Sequence, residues 1–277
     1  MSELDRFGGL SPDQLPSTMA QTKYIAISSQ KGGVGKTTVT IIAASAFHHL
    51  GGIRTAVVDC DFPQQSIVDF RDKELSALQR ELTHLQQDPE ANGKRIEEIE
   101  AAIADAYPVI GCMVKDAAAQ LQALDGQVDL VFVDTPGTMN AEGIVDLWAR
   151  LDYIFIPVEP DKISVSSTIS YIDTIQEIMQ EHPGSRLKGI YPFWNKYIKS
   201  EKRTMYDRTE QYFADNDIRQ LDARLEHSVN YRKDEMRSTM FPLKKQFLDL
   251  GVRSLIEEMS NVIFADAVPA GAEADAQ

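Results

Sequence analysis

Three short stretches carry residues whose types and spacing suit a polyphosphate. The first is Ser29-Gln30-Lys31-Gly32-Gly33-Val34-Gly35-Lys36-Thr37-Thr38. Glycines between an apolar run and a helix let backbone N–H groups turn inward around a phosphate, and the helix N-terminus adds partial positive charge. Lys36 then reaches the outer phosphates and Thr37 offers its hydroxyl to Mg²⁺, while Gly32, Gly33, Val34, Gly35 and Thr38 complete the cradle of ATP. The second stretch ends an apolar run with Asp59-Cys60-Asp61. Two carboxylates there face the crevice outside a sheet's carboxyl edge; one can help hold Mg²⁺ through water and one can orient an attacking water. The third is Leu130-Val131-Phe132-Val133-Asp134-Thr135-Pro136-Gly137. A hydrophobic strand ending in Asp134 brings a carboxylate near the metal, and Gly137, lacking a Cβ, can present its N–H to the γ-phosphate.

Strand ends must position these residues, and the chain supplies them. Short apolar runs at Tyr24–Ser28, Thr55–Asp59, Val128–Asp134, Asp152–Val158 and Leu187–Trp194 alternate with helical patterns at Lys36–Leu50 and Ser164–His182. Continuous apolar strands separated by helices predict a three-layer α/β P-loop fold, with a mostly parallel sheet covered on both faces by right-handed crossovers. About residues 66–107 the alternation stops. Leu75, Leu78, Leu82 and Leu85, then Ile96, Ile99 and Ile103, repeat at helical spacing around a break at Asp88-Pro89, which predicts an inserted helical hairpin. Residues 1–22 and 265–277 read as flexible tails around one P-loop domain at 23–264.

Composition narrows the class further. The 277 residues carry 28 Lys+Arg against 42 Asp+Glu, a formal charge of −14. With 43% hydrophobic and 25% charged residues, this is no collagen, disordered chain or disulfide scaffold. Cys60 and Cys112 form no CxxC pair, so a zinc site has no support, and two cysteines fit a reducing compartment. No basic leader and no long apolar run occur, so a cytoplasmic location is expected. His48 and His49 read as packing or surface residues.

The loop Lys-Gly-Gly-Val-Gly-Lys-Thr-Thr resembles the deviant Walker A loop of the ParA/MinD family of ATPases, with Gln30 at the place of the usual first glycine. Asp134 matches the Walker B aspartate and Asp-Thr-Pro-Gly the switch II pattern. Asp59-Cys60-Asp61 is similar to the family's Asp-x-Asp-Pro-Gln motif, departing from it by Phe62 before Pro63-Gln64. The resemblance implies that Lys31 is the signature lysine, reaching the nucleotide of a facing subunit in an ATP-sandwich homodimer. It implies that Lys31, Lys36 and Asp61 serve hydrolysis, that Thr37, Asp59, Asp61 and Asp134 surround Mg²⁺, and that Asn195 after a late strand touches the adenine. Pro157-Val158-Glu159-Pro160-Asp161 ends a strand at the same edge and suits the rim of the base pocket.

Charge is segregated along the chain. Residues 186–245 hold 14 Lys+Arg against 9 Asp+Glu, a local +5 that leaves −19 for the remainder. Family members that bind DNA non-specifically use basic residues in this region, which makes Lys196, Lys199, Lys202, Arg203, Arg232, Lys233 and Arg237 the candidates; such binding is phosphate-directed and salt-sensitive. The expected function is therefore a ParA-like ATPase, slow and stimulated by a ParB-like or transfer protein, that partitions or positions DNA or a mobile element. A nucleoid association follows from that expectation. A conjugation or secretion adaptor without DNA binding and a metabolic ATP-dependent ligase are the alternatives. The apolar face Val252, Leu255, Ile256, Met259 and Ile263 lies opposite Glu257 and Glu258, so this helix is expected to dock on the core and not on an anionic membrane.

Overall fold

The computed structural model describes residues 21–200, 203–232, 237–244 and 248–265. Apart from residues 21, 22 and 265, the two expected tails lie outside them. Along the chain run β1 (Lys23–Ile27), α1 (Lys36–Ser45), β2 (Thr55–Asp59), α2 (Ser66–Leu85), α3 (Pro89–Ala104), β3 (Val109–Gly111), α4 (Ala117–Leu124), β4 (Leu130–Asp134), α5 (Ile144–Arg150), β5 (Tyr153–Val158), α6 (Lys162–Glu181), β6 (Gly189–Tyr197), α7 (Thr204–Asp215), β7 (Arg224–Glu226) and α8 (Arg253–Ile263).

The seven strands form one sheet in the order β3-β2-β4-β1-β5-β6-β7, with every neighbouring pair parallel. Strands β2, β4 and β5 are buried at every residue, which is why each reads as an unbroken apolar run. Ile25, Ile27, Phe132 and Phe155 pack on one face with α1 and α8, while Ala26, Val131, Val133 and Ile154 pack on the other with α4, α5 and α6. Leu255, Ile256, Met259 and Ile263 of α8 are buried in the first of these cores, as the sequence predicts.

Register matters for the site. Asp59 pairs with Asp134 across β2 and β4, and Ile27 pairs with Asp134 across β1 and β4. Three strand ends thus stop at one level, and the loops leaving them share one edge.

Two elements differ from the sequence expectation in shape. The helix expected over 36–50 is α-helical only to Ser45, and a π-helical turn spans Ala46–Leu50. That turn brings His48 and His49 side by side against Tyr107, at 5.3 and 5.9 Å between ring centres, and near Asp105. Both histidines are packing residues, as expected. The hairpin of α2 and α3 forms where predicted and builds a small core of its own from Leu78, Ile99 and Met240. It is latched to a distant segment: Glu74 accepts from Thr239 N at 2.8 Å and from Ser238 Oγ at 2.7 Å, and Arg71 Nη2 donates to Thr239 O at 2.8 Å.

Candidate functional site

The loop between β1 and α1 needs glycine at two positions. Gly33 and Gly35 adopt φ of 76° and 95°, a region that L side chains rarely enter. A Cβ on Gly35 would stand 2.7 Å from the Asn195 amide nitrogen. The loop opens α1, so its N–H groups and the helix dipole converge on one point.

Lys36 is buried beside this loop, and a Cβ on Gly137 would lie 3.4 Å from its Nζ. The glycine that follows β4 therefore comes up against Lys36. Thr37 Oγ1 donates to Asp134 Oδ2 at 2.6 Å, while Asp134 Oδ1 is buried without a partner. Burial raises the Asp134 carboxyl to about 7; the Thr37 hydrogen bond and Lys36 oppose that rise, and the charges of Asp59 and Asp61 add to it. A buried carboxylate with a vacant oxygen beside a hydroxyl is the donor set a hard divalent cation takes.

Asp59, expected at the metal, does different work. Its Oδ2 accepts from Ile67 N at 2.8 Å and Val68 N at 3.3 Å, and its Oδ1 accepts from Asp61 N at 3.2 Å. The side chain thus ties the loop after β2 to the first turn of α2, a favourable place for negative charge. Burial raises its pKa against those three hydrogen bonds. Asp61 lies on that same loop, half-buried, while Phe62 next to it is 58% exposed.

Lys31 is engaged within its own chain. Its Nζ donates to Asp161 Oδ2 at 2.7 Å and to Glu159 Oε2 at 2.9 Å. Glu159 also pairs with Lys196, whose Nζ donates to Gly33 O at 2.8 Å. Burial pushes the Glu159 carboxyl up, but the hydrogen bonds from Lys196 and Lys31 outweigh it and hold the group below its ordinary range. The segment after β5, expected at the rim of the base pocket, holds Lys31 between two carboxylates. The sequence placed Glu159, Asp161 and Lys31 near one edge; their ion pairing across some 130 residues had no local signal.

Asn195 is buried, donates from Nδ2 to Val34 O at 2.7 Å and accepts at Oδ1 from Lys196 N at 2.9 Å. It braces the phosphate loop from behind. A cavity of about 180 Å³ opens beside it, lined by Gly35, Val39, Ile42, Asn195, His227 and Tyr231 among others. His227, Ser228 and Tyr231 were missed by the sequence reading, because they follow a three-residue strand with no readable pattern of its own.

The basic candidates scatter. Lys196 is committed to Gly33 and Glu159, and Arg237 sits over the Phe70 ring at 5.1 Å with Nη1 3.5 Å from Thr38 Oγ1. Both, expected on a DNA surface, make contacts around the β1–α1 loop and α1. Lys199 pairs with Glu226 at 2.6 Å, and Arg203 is exposed. Lys202, Lys233 and the Arg232 side chain lie outside the described residues. No helix among the described residues is long and apolar enough to cross a membrane.

A phosphate loop with two lysines, a buried Walker B aspartate and a seven-stranded parallel sheet define a P-loop ATPase of the deviant Walker A type. The AAA domain family matches residues 22–188, and the chain belongs to it. It is 28% identical over 203 residues to an uncharacterized protein of Methanocaldococcus jannaschii, covering 64% of this chain and 74% of the relative. It is 29% identical over 177 residues to the chromosome-partitioning ATPase Soj of Thermus thermophilus, covering 62% and 69%. A plasmid partition protein of Borrelia burgdorferi bound to AMPPNP superposes with a TM-score of 0.59 at 18% identity, over 87% of this chain and 99% of that one. The cell division ATPase MinD of Pyrococcus furiosus does so with a TM-score of 0.56 at 18% identity, also over 87% and 99%.

Proposed function

We propose that the chain binds ATP in the β1–α1 loop, closes as a homodimer over two nucleotides, and hydrolyses them slowly to time the attachment of a cargo. The observation that carries this is the Thr37–Asp134 pair with its vacant carboxylate oxygen, beside a buried Lys36. Thr37 and Asp134 would hold Mg²⁺, which when bound neutralises phosphate charge. Lys36 and the loop N–H groups bind the β- and γ-phosphates, and Gly137 N–H orients the γ-phosphate. Asp61 orients the attacking water, and Asp59 keeps the Asp61 loop anchored on α2. The base enters the cavity beside Asn195, against Val39, Ile42, His227 and Tyr231. Lys31 leaves Glu159 and Asp161 to neutralise charge on the facing subunit's nucleotide, which makes closure and chemistry one event. A ParB-like or transfer protein stimulates that step.

The finer reading is that the closed dimer binds DNA non-specifically through Lys199, Arg203 and the neighbouring basic residues. A second reading has a specific observation in its favour: with Lys196 and Arg237 turned inward, the basic set is thinner than the +5 of its segment implies, which suits an ATP-gated adaptor without DNA. Sedimentation with ATP, ADP or no nucleotide, followed by a DNA mobility shift at two salt concentrations, decides between them. Monomer under all three conditions rejects the sandwich. A nucleotide-dependent dimer with no shift at low salt leaves the adaptor, and a shift lost with rising salt supports the DNA reading.

A further inference from the structure

Cys60 and Cys112 are the chain's two cysteines. Strands β2 and β3 run parallel in register as far as Asp59 opposite Gly111, so the next pair in line is Cys60 beside Cys112. Cys112 N donates to Asp59 O at 3.0 Å, which continues the ladder past the strand ends. In-register neighbours point their Cβ atoms to one face, and the two sulphurs are 3.7 Å apart. Adjacent strands lie about 4.8 Å apart, inside the Cα span of roughly 4.4–6.8 Å that a disulfide bridges. Reaching a bond of about 2 Å takes some 1.7 Å of approach, within the range of side-chain rotation. The two thiols differ in access: Cys60 is buried, whereas Cys112 is half-buried and precedes the exposed Met113. Cys60 also stands between Asp59 and Asp61, so anything covalent done to it acts on the carboxylates of the site.

We propose that this pair is an oxidation site, at which a small peroxide converts Cys60 and Cys112 into an intrachain disulfide that pins the Asp59–Asp61 segment to β3 and slows ATP turnover. In the first step Cys112 sulphur takes one peroxide oxygen to give a sulfenic acid, and the other oxygen leaves as water. In the second, Cys60 sulphur displaces the sulfenic hydroxyl, which departs with the Cys60 proton as a second water. Two thiols have lost two electrons and the peroxide has gained them. A dithiol reverses the bond by exchange. The position gives the bond its effect: the loop carrying Asp61 hangs from β2 by the residue that becomes cross-linked. Misplacing a catalytic group by about 1 Å costs up to about a hundredfold in rate.

The covalent half of the proposal stands on geometry alone, and the rate half rests on the ATPase reading; one experiment separates them. The full-length protein is treated with hydrogen peroxide, blocked with iodoacetamide, digested with trypsin without reduction, and assayed in parallel for ATP turnover. The expected result is peptide 55–71 joined to peptide 96–115, turnover lowered by about tenfold or more, and both reversed by dithiothreitol. Cys112→Ser should match the reduced wild-type rate and ignore peroxide. Unlinked Cys112 sulfinic acid as the sole product overturns the disulfide. A linked peptide with unchanged turnover, or equal loss in Cys112→Ser, overturns the control of rate. Reduced wild-type protein without ATP turnover refutes the ATPase reading and with it the rate half, and the linked peptide still decides the site.

Discussion

Asp134→Asn should shift the stability of the nucleotide-free protein in the variant's favour as pH rises through neutrality, while removing its Mg²⁺-dependent nucleotide binding. The magnitude follows from the burial of the carboxyl. In the folded chain it keeps its proton up to about pH 7, against an ordinary value of 3.8. Between those values the folded state binds more protons than the unfolded state, so this group's contribution to stability falls as pH rises through the window and levels off above it. Each pH unit is about 1.4 kcal/mol, so between pH 5 and pH 8 the wild type loses about 3 kcal/mol that the uncharged asparagine does not. Constant costs, such as an amide N–H left at the vacant Oδ1 position, cancel when one pH is compared with the other. The assay is urea unfolding of both proteins in EDTA at pH 5 and pH 8. The expected outcome is a gap between variant and wild type that widens in the variant's favour by about 2–3 kcal/mol at the higher pH. A gap that does not change with pH refutes the reasoning, because it means Asp134 is already ionised in the folded protein.

Four further substitutions test separate parts of the site. Lys36→Ala should abolish ATP binding by calorimetry, and unchanged affinity would reject the phosphate-loop assignment. Asp61→Ala should keep nucleotide affinity, lower turnover by at least about a hundredfold and leave an ATP-bound dimer in sedimentation; turnover at the wild-type rate removes Asp61 from the chemistry. Lys31→Ala should stay monomeric with ATP. Asp161→Asn, which keeps an N-cap for α6 but loosens the hold on Lys31, should tighten ATP-dependent dimerisation about two- to fivefold; a weaker dimer would show that this hold supports closure.

The sheet's interior was legible because its strands are buried on both faces, so β2, β4 and β5 each read as an apolar run of nearly the observed length. Its edges were not. The strand β3 is three residues long and half-exposed, and β7 is three residues with polar ends, so neither has a pattern that composition reveals. The helices of the hairpin carry regular leucine and isoleucine spacing and were readable, whereas α4, α5 and α7 were not singled out. Within the site, loop chemistry was legible because glycine, lysine and threonine must occur at fixed spacing to surround a phosphate. Partners brought together only by folding were not. Asp59 at a strand end looks like any metal-edge carboxylate until α2 lays its first N–H groups on it. Lys196 and Arg237 count as basic residues of their segment until Gly33 and Phe70 take them up.

The hairpin's latch has a consequence for the order in which the chain can mature. Leu78 and Ile99 emerge well over a hundred residues before Met240, the third member of their small core, and Arg71 and Glu74 wait as long for Ser238 and Thr239. Ser238 O in turn accepts from Ser45 on α1, so the same late segment closes on the phosphate-loop helix and the hairpin together. During synthesis, then, a late segment that only α8 follows completes both, and a chain ending before residue 237 would carry the whole β1–α1 loop yet leave the hairpin's apolar row uncovered.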